Sequence, residues 1–317
     1  AATLPLPRAA REPAELKAML LDLSLGAGLA KSTSSLYKMP VGEYSGLPPN
    51  MRLNNVPHST LVRTFFYRAT SNAILNAVQD PSVPRKMKMT MLFPETNPEM
   101  DTYRVGTMLE MVREMTFTLT GAGYRVKICI QGSMGEGIFT GLPLSLSGTR
   151  AIMERMDWNE DGGEEQYGKL GKKIAFGAVG SEFVEKEDDV FIIIAPQSMT
   201  GASIHEPLVD HVRAAAGRPV VLINPLLNDR PSSGGKMQVQ GRADRIAFAE
   251  SFAEVFSFRC VYPSRASYYP IVGAVQKAGH LEPYVLYKLE GNDYEPVAAF
   301  REPPTGKDMT EFISMKK

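Results

Sequence analysis

Cysteine is scarce in this chain, with two residues in 317, as are tryptophan, at one, and histidine, at four. Two cysteines cannot staple a fold, and Cys129 sits inside a strand-like apolar run over 124–130. Both thiols are therefore expected reduced and packed, as in a reducing compartment. Net charge is also missing, because 35 basic residues meet 35 acidic ones. That balance removes the strongly basic footprint of a nucleic-acid binder. Long hydrophobic runs are absent: the apolar stretches at 190–195 and 220–223 fall far below the ~18 residues of a membrane-spanning helix. The chain starts Ala-Ala-Thr with neither Met nor a hydrophobic signal core, the look of a processed, imported protein or of one trimmed at its start.

What is present is ordinary globular material. Apolar residues make up 44% and charged residues 22%, enough for a sizeable core in one large or two average domains of roughly 100–200 residues. Residues 1–57 stand apart, with prolines at 5, 7, 13, 40, 48, 49 and 57. Within them Leu16, Met19, Leu20 and Leu23 fall at i, i+3, i+4, i+7, predicting a short amphipathic helix. This segment reads as an extended N-terminal arm, and those four residues as candidate anchors on a partner.

From residue 58 the pattern alternates. Ser59 or Thr60 caps a helix that Asp80-Pro81 stops. Residues 86–93 (KMKMTMLF) have period two, with Met87, Met89 and Met91 on one face. Such a row invites a copper or haem site, but Met fills cores readily, and packing is the better reading. A helix carrying Val105, Met108, Leu109, Val112, Met115 and Leu119 follows. Strands are then expected at 125–130, 173–178, 190–195 and 219–224, and helices at 150–158 and 204–216. A further helix is expected to carry Ile246, Ala249, Phe252 and Val255. Strands at 256–262, 271–276, 284–289 and 294–300 close the pattern, the last pair joined by a hairpin signal at Gly291-Asn292-Asp293. The fold expected is α/β: a mainly parallel, Rossmann-like sheet flanked by helices, with an antiparallel C-terminal hairpin. The domains expected are the arm (1–57), one α/β domain (58–302) and a C-terminal tail (303–317).

No enzyme signature survives inspection. The loop 131–141 (QGSMGEGIFTG) sits where α/β folds bind ligands, at a strand's carboxyl end, and its glycines can turn backbone N–H groups toward an anion. Gly132, Ser133, Gly135 and Gly137 are thus the candidate ligand loop, although the order is G-x-x-G-x-G and no Walker lysine follows. Residues 232–236 (SSGGK) resemble a P-loop only in part, with Arg230 and Met237 in the wrong places. Arg218, Arg242 and Arg245 read as an anion-binding trio, or equally as residues that cap carbonyls and pair with Asp229 or Asp244, and Asn224 is a further ligand candidate. His205 and His211, six apart on a helix, cannot face one metal, and no metal or cofactor is expected. Acidic runs at 157–165 and 182–189 read as solvated loops.

The segments 177–180 (GAVG), 188–197 (DDVFIIIAPQ), 218–229 (RPVVLINPLLND), 241–248 (GRADRIAF) and 269–274 (YPIVGA) carry a resemblance. Together they resemble a plastid and cyanobacterial domain-of-unknown-function family. That family includes the low-PSII-accumulation protein three and the C-terminal domain of a chloroplast adenylate kinase. The resemblance covers about residues 60–300. Tyr284 stands where the family often has Trp, and no kinase part is present. It implies a non-enzymatic protein of the chloroplast stroma, peripheral on the stromal face of the thylakoid membrane. Such a protein would dock on photosystem core proteins or other assembly factors and assist assembly or stability, most readily of photosystem II. The alternative is a nucleotide- or phosphate-responsive soluble stromal protein.

Overall fold

The computed structural model describes residues 36–37, 47–135, 140–158, 173–199, 202–228, 241–263 and 269–314. Their strands form one ten-stranded sheet. The strands are β1 (Leu36–Tyr37), β2 (Lys86–Leu92), β3 (Val126–Ile130), β4 (Ile174–Gly177), β5 (Val190–Ile194), β6 (Val220–Ile223), β7 (Ala253–Val261), β8 (Gly273–Lys277), β9 (Tyr284–Glu290) and β10 (Asp293–Phe300). Their order across the sheet is β1-β10-β9-β8-β7-β2-β6-β5-β3-β4. From β7 to β4 every pairing is parallel, and from β7 to β1 every pairing is antiparallel. The α/β class and the terminal hairpin are as the pattern implies, and the hairpin belongs to a larger antiparallel meander.

The helices are α1 (Thr60–Gln79), α2 (Val105–Gly121), α3 (Thr149–Arg155), α4 (His205–Ala214), α5 (Arg242–Glu250) and α6 (Gly306–Ser314). Ser59 caps α1 by accepting from the Val62 N–H. At the other end Asp80 turns extended, as the residue before Pro81 must. Helices α1, α2 and α3 cover one face of the sheet. There Met87, Met89 and Met91 are fully buried with Phe66, Phe93, Met108 and Phe258, each side chain contributing about 1.5–3 kcal/mol of burial free energy. Helices α4 and α5 cover the opposite face over a second core of Phe191, Ile193, Leu208, Val220, Leu222 and Phe252. Helix α6 covers β8–β10 on that same face, against Val275, Leu286 and Phe300. Gly273 on β8 is required there, because a Cβ would stand 2.4 Å from the Tyr287 carbonyl oxygen and 2.9 Å from Ile313.

Three boundaries differ from expectation. Helix α5 ends at Glu250, so Phe252 and Val255 do not extend its stripe. Instead β7 pairs with β2 from Met87 onward, and a bulge after Lys88↔Glu254 turns two consecutive residues, Val255 and Phe256, into the main core. The domain also begins before residue 58. Leu47, Met51 and Leu53 are buried in the main core, and β1 pairs with β10. Prolines at 48, 49 and 57 allow an irregular course without preventing burial. The segment 303–317, expected as a tail, contains α6, whose Met309, Phe312 and Ile313 pack on the sheet.

Candidate functional site

In a doubly wound sheet, ligands bind outside the carboxyl ends of the strands, where neighbouring crossovers leave on opposite faces. Two such points exist here. Strand β2 leads to α2 on one face while adjacent β6 leads to α5 on the other, and β3 leads to α3 while adjacent β5 leads to α4. Both crevices are filled by the protein's own amides. At β2/β6, Asn224 Nδ2 donates to the Met91 carbonyl at 2.9 Å and its Oδ1 accepts from the Met91 N–H at 2.6 Å. At β3/β5, Gln131 Nε2 donates to the Gln197 carbonyl at 3.1 Å and its Oε1 accepts from the Gln197 N–H at 2.7 Å. Each side chain imitates a peptide group and adds a rung to the ladder. Asn224 and Gln131 are accordingly 6% and 2% exposed.

The backbone continues the closure. Ala195 and Asn224 lie side by side at the ends of β5 and β6, both in the left-handed region (φ 41° and 46°), and each precedes a proline. Left-handed conformation is uncommon for Ala and tolerated by Asn. The shared kink sends both chains on together, and pairing resumes beyond it. Leu226 N–H donates to the Pro196 carbonyl at 2.9 Å, and Gln197 and Leu226 form a parallel bridge.

The sequence-predicted ligand residues do not converge. Gly132, Ser133 and Gly135 are exposed at the C-terminal edge, in a loop that Met134 and Gly141 close by reciprocal backbone bonds of 2.7 and 2.9 Å; Gly137 lies outside the described residues. Arg242 and Arg245 occupy the first turn of α5. Arg218 stands at the opposite edge of the sheet. Its guanidinium donates to the carbonyls of Ala215, Ala214, Glu185 and Asp188 and stacks 5.0 Å over the Phe191 ring. Of its two readings, the carbonyl cap is the one present, and the anion-binding trio is not assembled. Residues Leu16, Met19, Leu20 and Leu23, the SSGGK stretch and the acidic run 159–165 lie outside the described residues.

The second acidic run corrects its expectation. Asp188 is fully buried, because Lys127 (Nζ–Oδ2 3.2 Å) and Arg125 (Nε–Oδ1 3.3 Å) enclose it, and Glu185 closes on Lys127 at 2.9 Å. Four other titratable groups, His211, His58, Cys129 and Cys260, are shifted toward their neutral forms. Desolvation lowers His211 to about 4, against the pull of its hydrogen bond with Gly180. Burial pushes the thiols of Cys129 and Cys260 up to about 12, so neither is a nucleophile at neutral pH. Desolvation likewise lowers His58, although Glu95 lies beside it, the His58 N–H donating to Oε1 at 2.8 Å.

Sequence reasoning missed the amide rungs. Their one visible sign is a Gln or Asn directly after an apolar strand, at Ile130-Gln131 and Ile223-Asn224. It also passed over the polar face of β2, where Lys88 and Thr90 line a cavity with Glu254, Arg259 and Tyr284; the partners of that face come from strands 160 to 200 residues away. Among the described residues, no helix is long and apolar enough to cross a membrane. Residues 63–311 match the family described as Domain of unknown function (DUF1995). That match spans most of the chain, and the protein belongs to this family.

Proposed function

We propose that the protein is a non-catalytic docking module that assists the assembly or stability of a thylakoid photosynthetic complex, photosystem II in the first instance, from the stromal face of the membrane. On this reading its counterpart is the low-PSII-accumulation protein three, to whose family the sequence bears its resemblance. The observation that carries the reading is the closure of both switch-point crevices by Gln131 and Asn224. A sheet whose ligand clefts are built out by its own hydrogen bonds offers a fixed, neutral surface along that edge, suited to a partner more than to a substrate. The resemblance in sequence supplies the compartment and the class of partner. Leu16, Met19, Leu20 and Leu23 supply the anchors, as an amphipathic helix does in a partner's groove.

The test is capture from solubilised thylakoids with the tagged full chain, followed by mass spectrometry. Photosystem core proteins and assembly factors are expected in the eluate, and their loss when the four anchors are changed to serine. Recovery of no membrane protein by a folded bait overturns the reading. A second reading, a nucleotide- or phosphate-responsive stromal protein, is favoured by the exposed backbone of Gly132, Ser133 and Gly135. Calorimetry with ATP, ADP and AMP on wild-type chain and on Gly132→Ala separates the two.

A further inference from the structure

The sheet face that carries α4, α5 and α6 is not continuously covered. Between Phe252, just past α5, and Pro303, just before α6, lies a cavity of about 280 Å³. Thr90 and Tyr284 line it from the two ends of a row of registered neighbours on four strands, Thr90, Ser257, Lys277 and Tyr284. Glu254 sits over this row as a fixed acceptor, taking hydrogen bonds from Thr90 Oγ1 at 3.1 Å and from the Tyr284 hydroxyl. The Lys277 ammonium is held apart, donating to the Glu282 carbonyl and lying 5.1 Å over the Tyr284 ring. Two cations remain. Lys88 and Arg259 line the cavity half-buried, and among the described residues neither side chain has a hydrogen bond or an ion pair.

Glu254 and Glu302 line the same cavity, yet among the described residues neither carboxylate comes within ion-pair distance of Lys88 or Arg259, and a half-buried cation with no close partner favours an anion beside it. Two such cations facing one cavity match a single dianion. The guanidinium fork suits two oxygens of a phosphate, and the ammonium supplies a point charge beside it. Glu254 has lone pairs left after its two hydroxyl donors, and Glu302 stands at the rim. Both accept hydrogen bonds and repel further negative charge, so the remainder of the ligand carries hydroxyl groups. A volume of about 280 Å³, at the lower end of the usual ~300–1,000 Å³ of ligand pockets, suits a small ligand.

We propose that this cavity binds a small hydroxylated phosphomonoester, its phosphate between Lys88 and Arg259 and its hydroxyls on Glu254 and Glu302. The site is separate from the Gly132 loop and from any docking surface at the C-terminal edge, and it stands or falls independently of both.

The test is titration calorimetry of the full chain at low salt with glycerol 3-phosphate, with inorganic phosphate and glycerol as separate arms. Saturable binding at one site is expected, tighter for the ester than for either fragment. Lys88→Gln and Arg259→Gln are each expected to weaken it by about tenfold or more, and Arg242→Gln to leave it unchanged. Thermal unfolding of each variant confirms that it is folded, and Lys88→Glu takes the place of the Arg259 variant if that one is not. Absence of saturable heat with the ester up to about 10 mM overturns the proposal. So does wild-type affinity in the Lys88→Gln, Arg259→Gln double variant, or inorganic phosphate binding as tightly as the ester.

Discussion

The two ends of the parallel strands are closed by opposite chemistry. At the N-terminal edge cations stand at or beside the starts of β2, β3, β4 and β6, with Asp188 and Asp189 before β5, and several of the cations reach the last carbonyls of helices. Arg85 donates to Val78 at the end of α1, Lys173 to Thr120 at the end of α2, and Arg218 to Ala214 and Ala215 at the end of α4. Helix C-termini present unpaired carbonyls and a partial negative charge, which a cation satisfies on both counts. At the C-terminal edge the closing groups are the neutral amides of Gln131 and Asn224, with prolines at 94, 196 and 225. Neutral donors and acceptors there match peptide groups one for one and need no counter-ion. The difference teaches that the charged edge depends on pairing and on pH, whereas the neutral edge depends on geometry alone.

The largest break in that comparison is Asp188→Ala. It removes the fully buried carboxylate between Lys127 and Arg125 and leaves the Lys127 ammonium, 3% exposed, with only Glu185. Removing one partner of a buried pair costs about 3–5 kcal/mol. Urea unfolding is expected to show a loss of that size, and a loss under about 1 kcal/mol would mean that water reaches Lys127.

The charged edge also carries the acid sensitivity. His211 packs edge-on against Phe191 and faces Lys127, Arg218 and Glu182. Burial, reinforced by the two cations, holds it at about 4, below its unfolded value of 6.5. The unfolded state therefore takes up the proton first. The neutral ring's contribution is complete above pH 6.5 and is lost as pH falls from 6.5 to 4, reaching roughly 3 kcal/mol. Unfolding free energies measured across that window on wild type and His211→Phe are expected to diverge by this amount, with the variant the less acid-sensitive.

Much of this architecture was legible because it rests on local periodicity. The Met87–Met89–Met91 row, the apolar runs of β5 and β6 and the Gly291-Asn292 turn each signal their element without help from distant residues. The α5 boundary was not legible: Ile246, Ala249, Phe252 and Val255 keep helical spacing, yet Ile246 is 38% exposed and Val255 is the extra residue of a strand bulge. Only the partner β2, some 165 residues earlier, decides that. The same holds for Asp188, which reads as one more residue of an acidic loop until Lys127 and Arg125 are brought beside it. The sites fail for this reason too. Amide rungs and the Lys88–Arg259 cavity are made of residues that are unremarkable singly and meet only through the crossovers.

The finest test sets one residue from each edge against salt. Asn224→Ala leaves the Met91 N–H and carbonyl unpaired in a buried crevice and puts Ala at φ 46°, costing about 2 kcal/mol from the unsatisfied groups. Asn224→Gly relieves the backbone while losing the same bonds, so it is expected to be the milder of the two. Arg125→Gln removes a partly exposed ion pair with Glu185, 33% and 55% exposed at 3.7 Å, and weakens the support of Asp188. Because solvent screens that pair, its cost is expected near 0.5–1 kcal/mol at low salt. At about 1 M salt the screening length falls to ~3 Å, so the Arg125 effect shrinks while the Asn224 effect stays. If both shift together with salt, the contrast between a charged and a neutral edge is wrong. If only Arg125 responds, the amide at the C-terminal edge behaves as an added peptide rung.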